Sequence, residues 1–180
     1  MNGVQPINRP AAAFLTPNRL IAFVAAAVLA LDQLTKMVVK RHLSLEEEKV
    51  VIPGFFKLVH WGNTGAAWSL FVGRNQLLAI VGVVALLVLF RSRHHFDAHT
   101  KMGQVALGLI FGGIVGNLLD RLIDRHVTDF LYFYVERRGA LPISFPAFNV
   151  ADSAICVGVG LIFIASFRND RAPTLPSSEA

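Results

Sequence analysis

The sequence predicts an all-α membrane protein with four transmembrane helices, and three observations carry that prediction. Hydrophobic residues make up 54% of the 180-residue chain and charged residues only 16%, against about 25% charged in ordinary soluble domains. Mean hydropathy is +0.53. The apolar residues gather in four runs, each near the ~20 residues that cross a bilayer core. A soluble enzyme is excluded on these grounds. The length suits one domain, so residues 1–180 are read as a single integral-membrane unit.

Residues 1–18 are polar or small. The first span covers about 20–40, where the run from Leu20 to Leu31 continues through Asp32 and Lys36. Arg9, Arg19 and Val28-Leu29-Ala30 also fit a cleavable signal peptide, but apolar patterning resumes after Asp32, which favours a retained helix. The second span covers about 70–90, its most apolar part running from Gln76 to Phe90. The third covers 102–123 and the fourth 148–168. Residues 173–180 read as a disordered polar tail.

Four crossings put both termini on one side. The short link from Arg91 to Lys101 is dense in cations with one acid, Asp97, whereas the long 41–75 loop contains Glu46 to Glu48. Short loops dominate orientation, so the termini are placed in the cytoplasm. On the opposite side, residues 50–70 alternate Val, Ile, Phe and Trp with Pro53-Gly54 and Gly62, a pattern of short strands joined by turns. The 124–147 loop carries Phe130, Tyr132, Phe133, Tyr134 and Phe145, suited to a membrane surface.

Several chemistries fall away. The net charge of +5 is scattered between apolar runs and forms no basic stripe, so no nucleic acid is expected as a partner. Cys156 is the sole cysteine; it allows no intrachain disulfide and is read as a small core hydrophobe. The six histidines show no His-Glu-x-x-His spacing, so no metal or other cofactor is expected. Neither a Gly-x-Ser-x-Gly turn nor a Walker loop is present.

Ionisable groups inside spans cost about 2.5–3.5 kcal/mol each at mid-span, so each needs a partner or a task. Asp32 and Lys36 lie one helical turn apart in the favourable order and are read as a structural pair. In the third span Gly108, Gly112 and Gly116 repeat every four residues, which lets a neighbouring helix approach. Asp120 and Asp124 continue that stripe. Asn117 lies in the adjacent row with Arg121, and Asp120 is read as an acid paired with Arg121. Asp129, just beyond the third span, and Asp152, near the start of the fourth, have no adjacent cation. Two such acids at one depth can face each other and share a proton, as in an aspartic peptidase. A small proton-coupled carrier would use the same residue types and remains the alternative.

Five blocks now carry a resemblance. They are Asp32-Gln33-Leu34-Thr35-Lys36; Asn63-Thr64-Gly65-Ala66-Ala67-Trp68-Ser69; Gly116-Asn117-Leu118-Leu119-Asp120-Arg121; Val127-Thr128-Asp129-Phe130; and Phe148-Asn149-Val150-Ala151-Asp152-Ser153-Ala154-Ile155. In this order they resemble lipoprotein signal peptidases, the signal peptidase II family of integral-membrane aspartic endopeptidases, over about residues 20–168. The resemblance implies a small extracytoplasmic β-cradle and a short interfacial helix beside the four spans. It implies a place in the bacterial inner membrane, with the active site near its outer face. It further implies that Asp129 and Asp152 are catalytic, that Asn63, Gly65, Asn117, Asp120, Arg121, Asn149 and Ala151 line or support the site, and that Asp32 and Lys36 stabilise the first helix. The implied reaction removes the signal peptide of a diacylglyceryl-modified prolipoprotein just before its lipidated cysteine, and the implied inhibitor is globomycin. A monomer among membrane lipids is expected. Two departures stand out: Arg125 occupies a position where the family commonly has Gly, which puts that turn in question, and the loop from Asp129 to Asp152 is longer than usual.

Overall fold

A backbone crossing lipid has no water to bond to, so each apolar run must satisfy its own N–H and C=O groups as a helix. The structure is a computed structural model and describes residues 17–65, 73–96, 98–137 and 139–169. It contains α1 (Pro17–His42), α2 (Asn75–Ser92), α3 (Lys101–Ile123) and α4 (Val150–Asn169), with a 3-10 turn at Arg93–His95. All four helices are long and apolar enough to cross a membrane. The chain is a multi-pass membrane protein. The second helix begins at Asn75 rather than near residue 70. Residues 66–72, like the 173–180 tail, lie outside the described residues.

Thr100 caps α3 by accepting a hydrogen bond from the Gly103 N–H at 3.0 Å, which satisfies one of the free donors of its first turn. α3 lies between α1 and α4 and packs closely on both. Its glycines make this possible: a Cβ at Gly112 would sit 2.6 Å from the Ala25 carbonyl oxygen, and one at Gly113 would sit 2.5 Å from that of Ala151. The Gly108, Gly112 and Gly116 stripe therefore receives α1, and Gly113, which the four-residue repeat did not include, receives α4. α2 packs on α3 and buries only Ala79 of its residues. Cys156 is exposed on α4, which corrects its placement in a core.

At the end of the bundle where α1 finishes and α4 begins, β1 (Glu48–Ile52), β2 (Phe56–Asn63), β3 (Val127–Arg137) and β4 (Ala140–Ser144) form one antiparallel sheet in that order. Pro53-Gly54 makes the first turn as its composition predicts. The Phe55 N–H donates to the Ile52 carbonyl at 3.1 Å, and Gly54 has a φ of 76°, which the third position of a type II turn requires. The aromatic 124–147 segment is not a loop, as the sequence reading had it, but most of a hairpin. Its β-branched and aromatic residues gain a pairing partner in β2, and Phe133 stacks on Phe56 at 4.8 Å. Val39 and Leu43 of α1 pack against Phe130, Leu58, Leu131 and Val150, joining sheet to bundle. The short interfacial helix is not among these elements.

Arg125 follows the α3 C-cap, Asp124, and has a φ of 64°. The turn before Asp129 thus keeps the left-handed conformation that glycine supplies most easily, with arginine bearing the strain. That conformation costs a non-glycine residue about 1–2 kcal/mol, whereas glycine gives up about 0.5–1 kcal/mol in chain entropy. Arg125→Gly should therefore stabilise the fold by about 0.5–1 kcal/mol, read as a higher thermal midpoint in detergent. A lower midpoint would mean that the arginine side chain contributes more than its backbone costs.

Candidate active site

The first turn of α4 needs acceptors for its free N–H groups, and these acceptors build the site. Asn149 precedes α4; its Oδ1 accepts from the Asp152 N–H at 2.9 Å, while Asp152 Oδ2 accepts from the Asn149 N–H at 3.2 Å. This reciprocal pair is a capping box. The Ala151 N–H donates to Asp32 Oδ1 at 2.9 Å, so α1 supplies the third acceptor. Asp152 is thereby fixed in the opening turn of α4.

Asp129 lies on β3 opposite Trp61 of β2 and is only 3% exposed. Its Oδ1 accepts from Asn149 Nδ2 at 2.8 Å and its Oδ2 from Asn63 Nδ2 at 2.9 Å. Asp152 Oδ1 accepts from Asn117 Nδ2 at 2.7 Å. Every carboxylate oxygen of the pair therefore has a donor, and Asn149 touches both acids. Asp129 and Asp152 come from β3 and α4, yet one residue holds them together.

The amides are themselves held. Asn63 Oδ1 accepts from the Gly65 N–H at 2.8 Å, and the Gly65 carbonyl accepts from Arg121 Nη2 at 2.9 Å. Arg121 Nη1 donates to Asn75 Oδ1 at 3.2 Å, and Asn75 Nδ2 returns a bond to the Arg121 carbonyl at 2.9 Å. Arg121 is thus a tie between α2, α3 and the strand end that carries Asn63.

This corrects the expected pairing of Asp120 with Arg121. Asp120 Oδ2 lies 2.8 Å from Lys36 Nζ, which is also 2.8 Å from Asp32 Oδ2. Adjacent residues on a helix point about 100° apart, so Asp120 faces α1 while Arg121 faces the chain beyond β2. Asp120 also accepts from Gln33 Nε2 at 2.9 Å and from the Thr128 N–H at 3.2 Å. Asp32 and Lys36 do pair, as their spacing predicts, but within a triad. One turn on, Lys40 pairs with Asp124. Gln33 and Asn75 were not among the expected site residues. Gln33 had a signal, a polar amide inside an apolar span; Asn75, at the head of α2, had none.

Burial, and next the neighbouring Asp152 carboxylate, push the Asp129 carboxyl up to about 7, against the opposing pull of its two asparagine donors and Lys36. An unfolded aspartate titrates near 3.9, so between about pH 4 and pH 7 the folded chain binds more protons. Stability must fall as pH rises through that window and level off above it. The thermal midpoint should accordingly drop between pH 5 and pH 7, and Asp129→Asn should remove that part of the drop. An unchanged slope in the variant would assign it to another group. Among the described residues, no three His, Cys, Asp or Glu side chains gather as metal ligands.

Residues 24–168 match the family model described as Signal peptidase (SPase) II. The chain belongs to the signal peptidase II family. It is 38% identical over 154 residues to a lipoprotein signal peptidase of Syntrophotalea carbinolica, covering 84% of this chain and 92% of that one. To a lipoprotein signal peptidase of Symbiobacterium thermophilum it is 40% identical over 146 residues, covering 81% and 90%. A solved structure described as a bacterial membrane enzyme, determined by the in meso method at 2.3 Å resolution, matches with a TM-score of 0.73 at 30% identity, over 89% of this chain and 93% of that one. A second, at 1.9 Å resolution, gives 0.68 at 32% identity over 83% and 93%. Signal peptidase II membership gives no support to a carrier, and the two unpaired acids sit together at one end of the bundle. In this signal peptidase II chain, Asn63, Asn117 and Asn149 touch the acids; Gly65 holds Asn63 and is held by Arg121, Asp120 holds Lys36, and Ala151 ties the start of α4 to Asp32. Trp68 and Ser69 of the second block lie outside the described residues.

Proposed function

We propose that this chain removes the signal peptide from diacylglyceryl-modified bacterial prolipoproteins, cutting just before the lipidated cysteine, with Asp129 and Asp152 as an aspartic dyad and water as the nucleophile. The observation that carries this reading is the convergence of both carboxyls on Asn149, with Asp129 pushed up to about 7. In the proposed scheme the pair starts with one proton, held by Asp129.

Asp152 takes a proton from water as the water oxygen bonds to the scissile carbonyl carbon, and Asp129 gives its proton to the carbonyl oxygen. A tetrahedral diol results. Its collapse breaks the C–N bond: the proton on Asp152 passes to the leaving amine of the cysteine, and one diol hydroxyl returns a proton to Asp129. Asn63, Asn117 and Asn149 hold the carboxyls so that little rearrangement is needed between the steps.

Several further features fit. The sheet and the two acids share the end of the bundle opposite the cation-dense Arg91 to Lys101 link, which supports a site at the outer face of the inner membrane with the termini in the cytoplasm. The light packing of α2 leaves lipid-facing surface on the bundle, suited to lateral entry of diacylglyceryl chains.

The test is cleavage by the purified enzyme of a diacylglyceryl-modified prolipoprotein, followed by mass spectrometry. The expected product begins at the lipidated cysteine, and the unmodified precursor should stay intact. Equal cleavage of both precursors, or a cut elsewhere, would overturn the reading. Saturating globomycin should abolish the reaction; full activity in its presence would count against a family-like pocket.

A further inference from the structure

Each of the three asparagines that serve the dyad is oriented by a donor to its own carbonyl oxygen. The Gly65 N–H does this for Asn63 and the Asp152 N–H for Asn149. Both are backbone groups, close in sequence to the asparagine they serve. For Asn117 the donor is a side chain from another helix, Lys36 Nζ, at 3.1 Å from Oδ1. An amide nitrogen cannot face an ammonium, because both only donate. Asn117 must therefore turn Oδ1 to Lys36 and Nδ2 to Asp152 Oδ1, 2.7 Å away. Asn149 Nδ2, 3.2 Å from the same Oδ1, favours the same orientation. The ammonium is held in turn: Asp32 Oδ2 and Asp120 Oδ2 lie 2.8 Å from it, and Lys36 is only 1% exposed.

We propose that Lys36 is a positioning residue for peptide cleavage, setting the orientation of the Asn117 amide and through it the Asp152 carboxyl. This goes beyond a pair that stabilises α1, and it rests on the dyad reading of the function. Without the ammonium, only the 3.2 Å bond from Asn149 Nδ2 still holds Asn117 Oδ1, and the amide loses the charged donor that keeps its oxygen from Asp152, where two acceptors would oppose each other. Asp152 would then lose a donor and its fixed plane. An acid misplaced by a fraction of its hydrogen-bond length loses rate without losing substrate affinity.

The test is a double-mutant cycle between Lys36 and Asn117, read as kcat and KM on diacylglyceryl-modified prolipoprotein for the folded, monodisperse fraction in detergent. Lys36→Met alone leaves two buried carboxylates without their cation and can fail to fold. A second variant, Asp32→Asn with Lys36→Met, leaves the cluster's net charge as it was, and the new amide oxygen still accepts from the Ala151 N–H. In either Lys36 variant kcat should fall about a hundredfold with KM nearly unchanged. On an Asn117→Ala background the same change should cost little more. A wild-type kcat per folded molecule, or losses that multiply in the combined variant, would overturn the proposal. If Asp129→Asn and Asp152→Asn still cleave, it is the dyad reading that fails. If both are inactive while the Lys36 variants turn over as wild type does, only this inference fails.

Discussion

Asp129→Asn and Asp152→Asn should each lower prolipoprotein cleavage by about 10³-fold or more in a chain that still folds. Two losses combine in each variant. An amide cannot exchange the proton that the proposed dyad passes between water, carbonyl and amine. It also replaces an acceptor by a donor where no acceptor faces it: Asp129 takes bonds from Asn63 Nδ2 and Asn149 Nδ2, and Asp152 from Asn117 Nδ2 and the Asn149 N–H. The amide group of either variant must therefore turn its NH2 against another donor. The assay is product formation per folded molecule, with folding checked by circular dichroism and elution volume. Cleavage above a tenth of wild type in both variants would remove these acids from the chemistry.

Asp32→Ala destabilises the fold by about 3 kcal/mol. The substitution strands the buried Ala151 N–H, removes one of the two carboxylates on Lys36, and leaves Gln33 one acceptor fewer. Lys36 keeps Asp120, so the charge is not left alone, and the cost stays below that of deleting the lysine. Asp32→Asn should cost clearly less, since its amide oxygen can still accept from Ala151. Denaturation of both variants in mixed micelles separates the two. Equal losses would show that charge, and not the bond to α4, carries the effect.

The helices were legible because an apolar run of span length has one structural solution in lipid. The meeting of Asp129 and Asp152 at Asn149 was legible because nearby cations accounted for Asp32 and Asp120, leaving these two acids. The partner of Asp120 was not. Whether it meets Arg121 or Lys36 depends on how α3 is rotated against α1, which the approach at Gly108 and Gly112 decides. Cys156 misled for a related reason: in a bilayer the outside of a helix is as apolar as the inside, so hydrophobicity does not separate core from surface. The β3–β4 hairpin was hidden because its aromatic run fits both a strand and a membrane-surface segment, and only β2, distant in sequence, decides between them. Arg125 shows the reverse case, where the local residue changed and the backbone conformation did not.

The capping box also ties turnover to helix fraying. The Ala151 and Asp152 amide hydrogens are both held by side chains, Asp32 Oδ1 and Asn149 Oδ1, and Asn149 also touches Asp129. When the first turn of α4 opens, Asp152 loses its place and both hydrogens become free to exchange with solvent. The exchange protection of these two amides therefore reports the fraction of molecules competent to cleave, without any substrate present. The opening free energy of a single helical turn thus sets the largest fraction of molecules in which the site can be assembled.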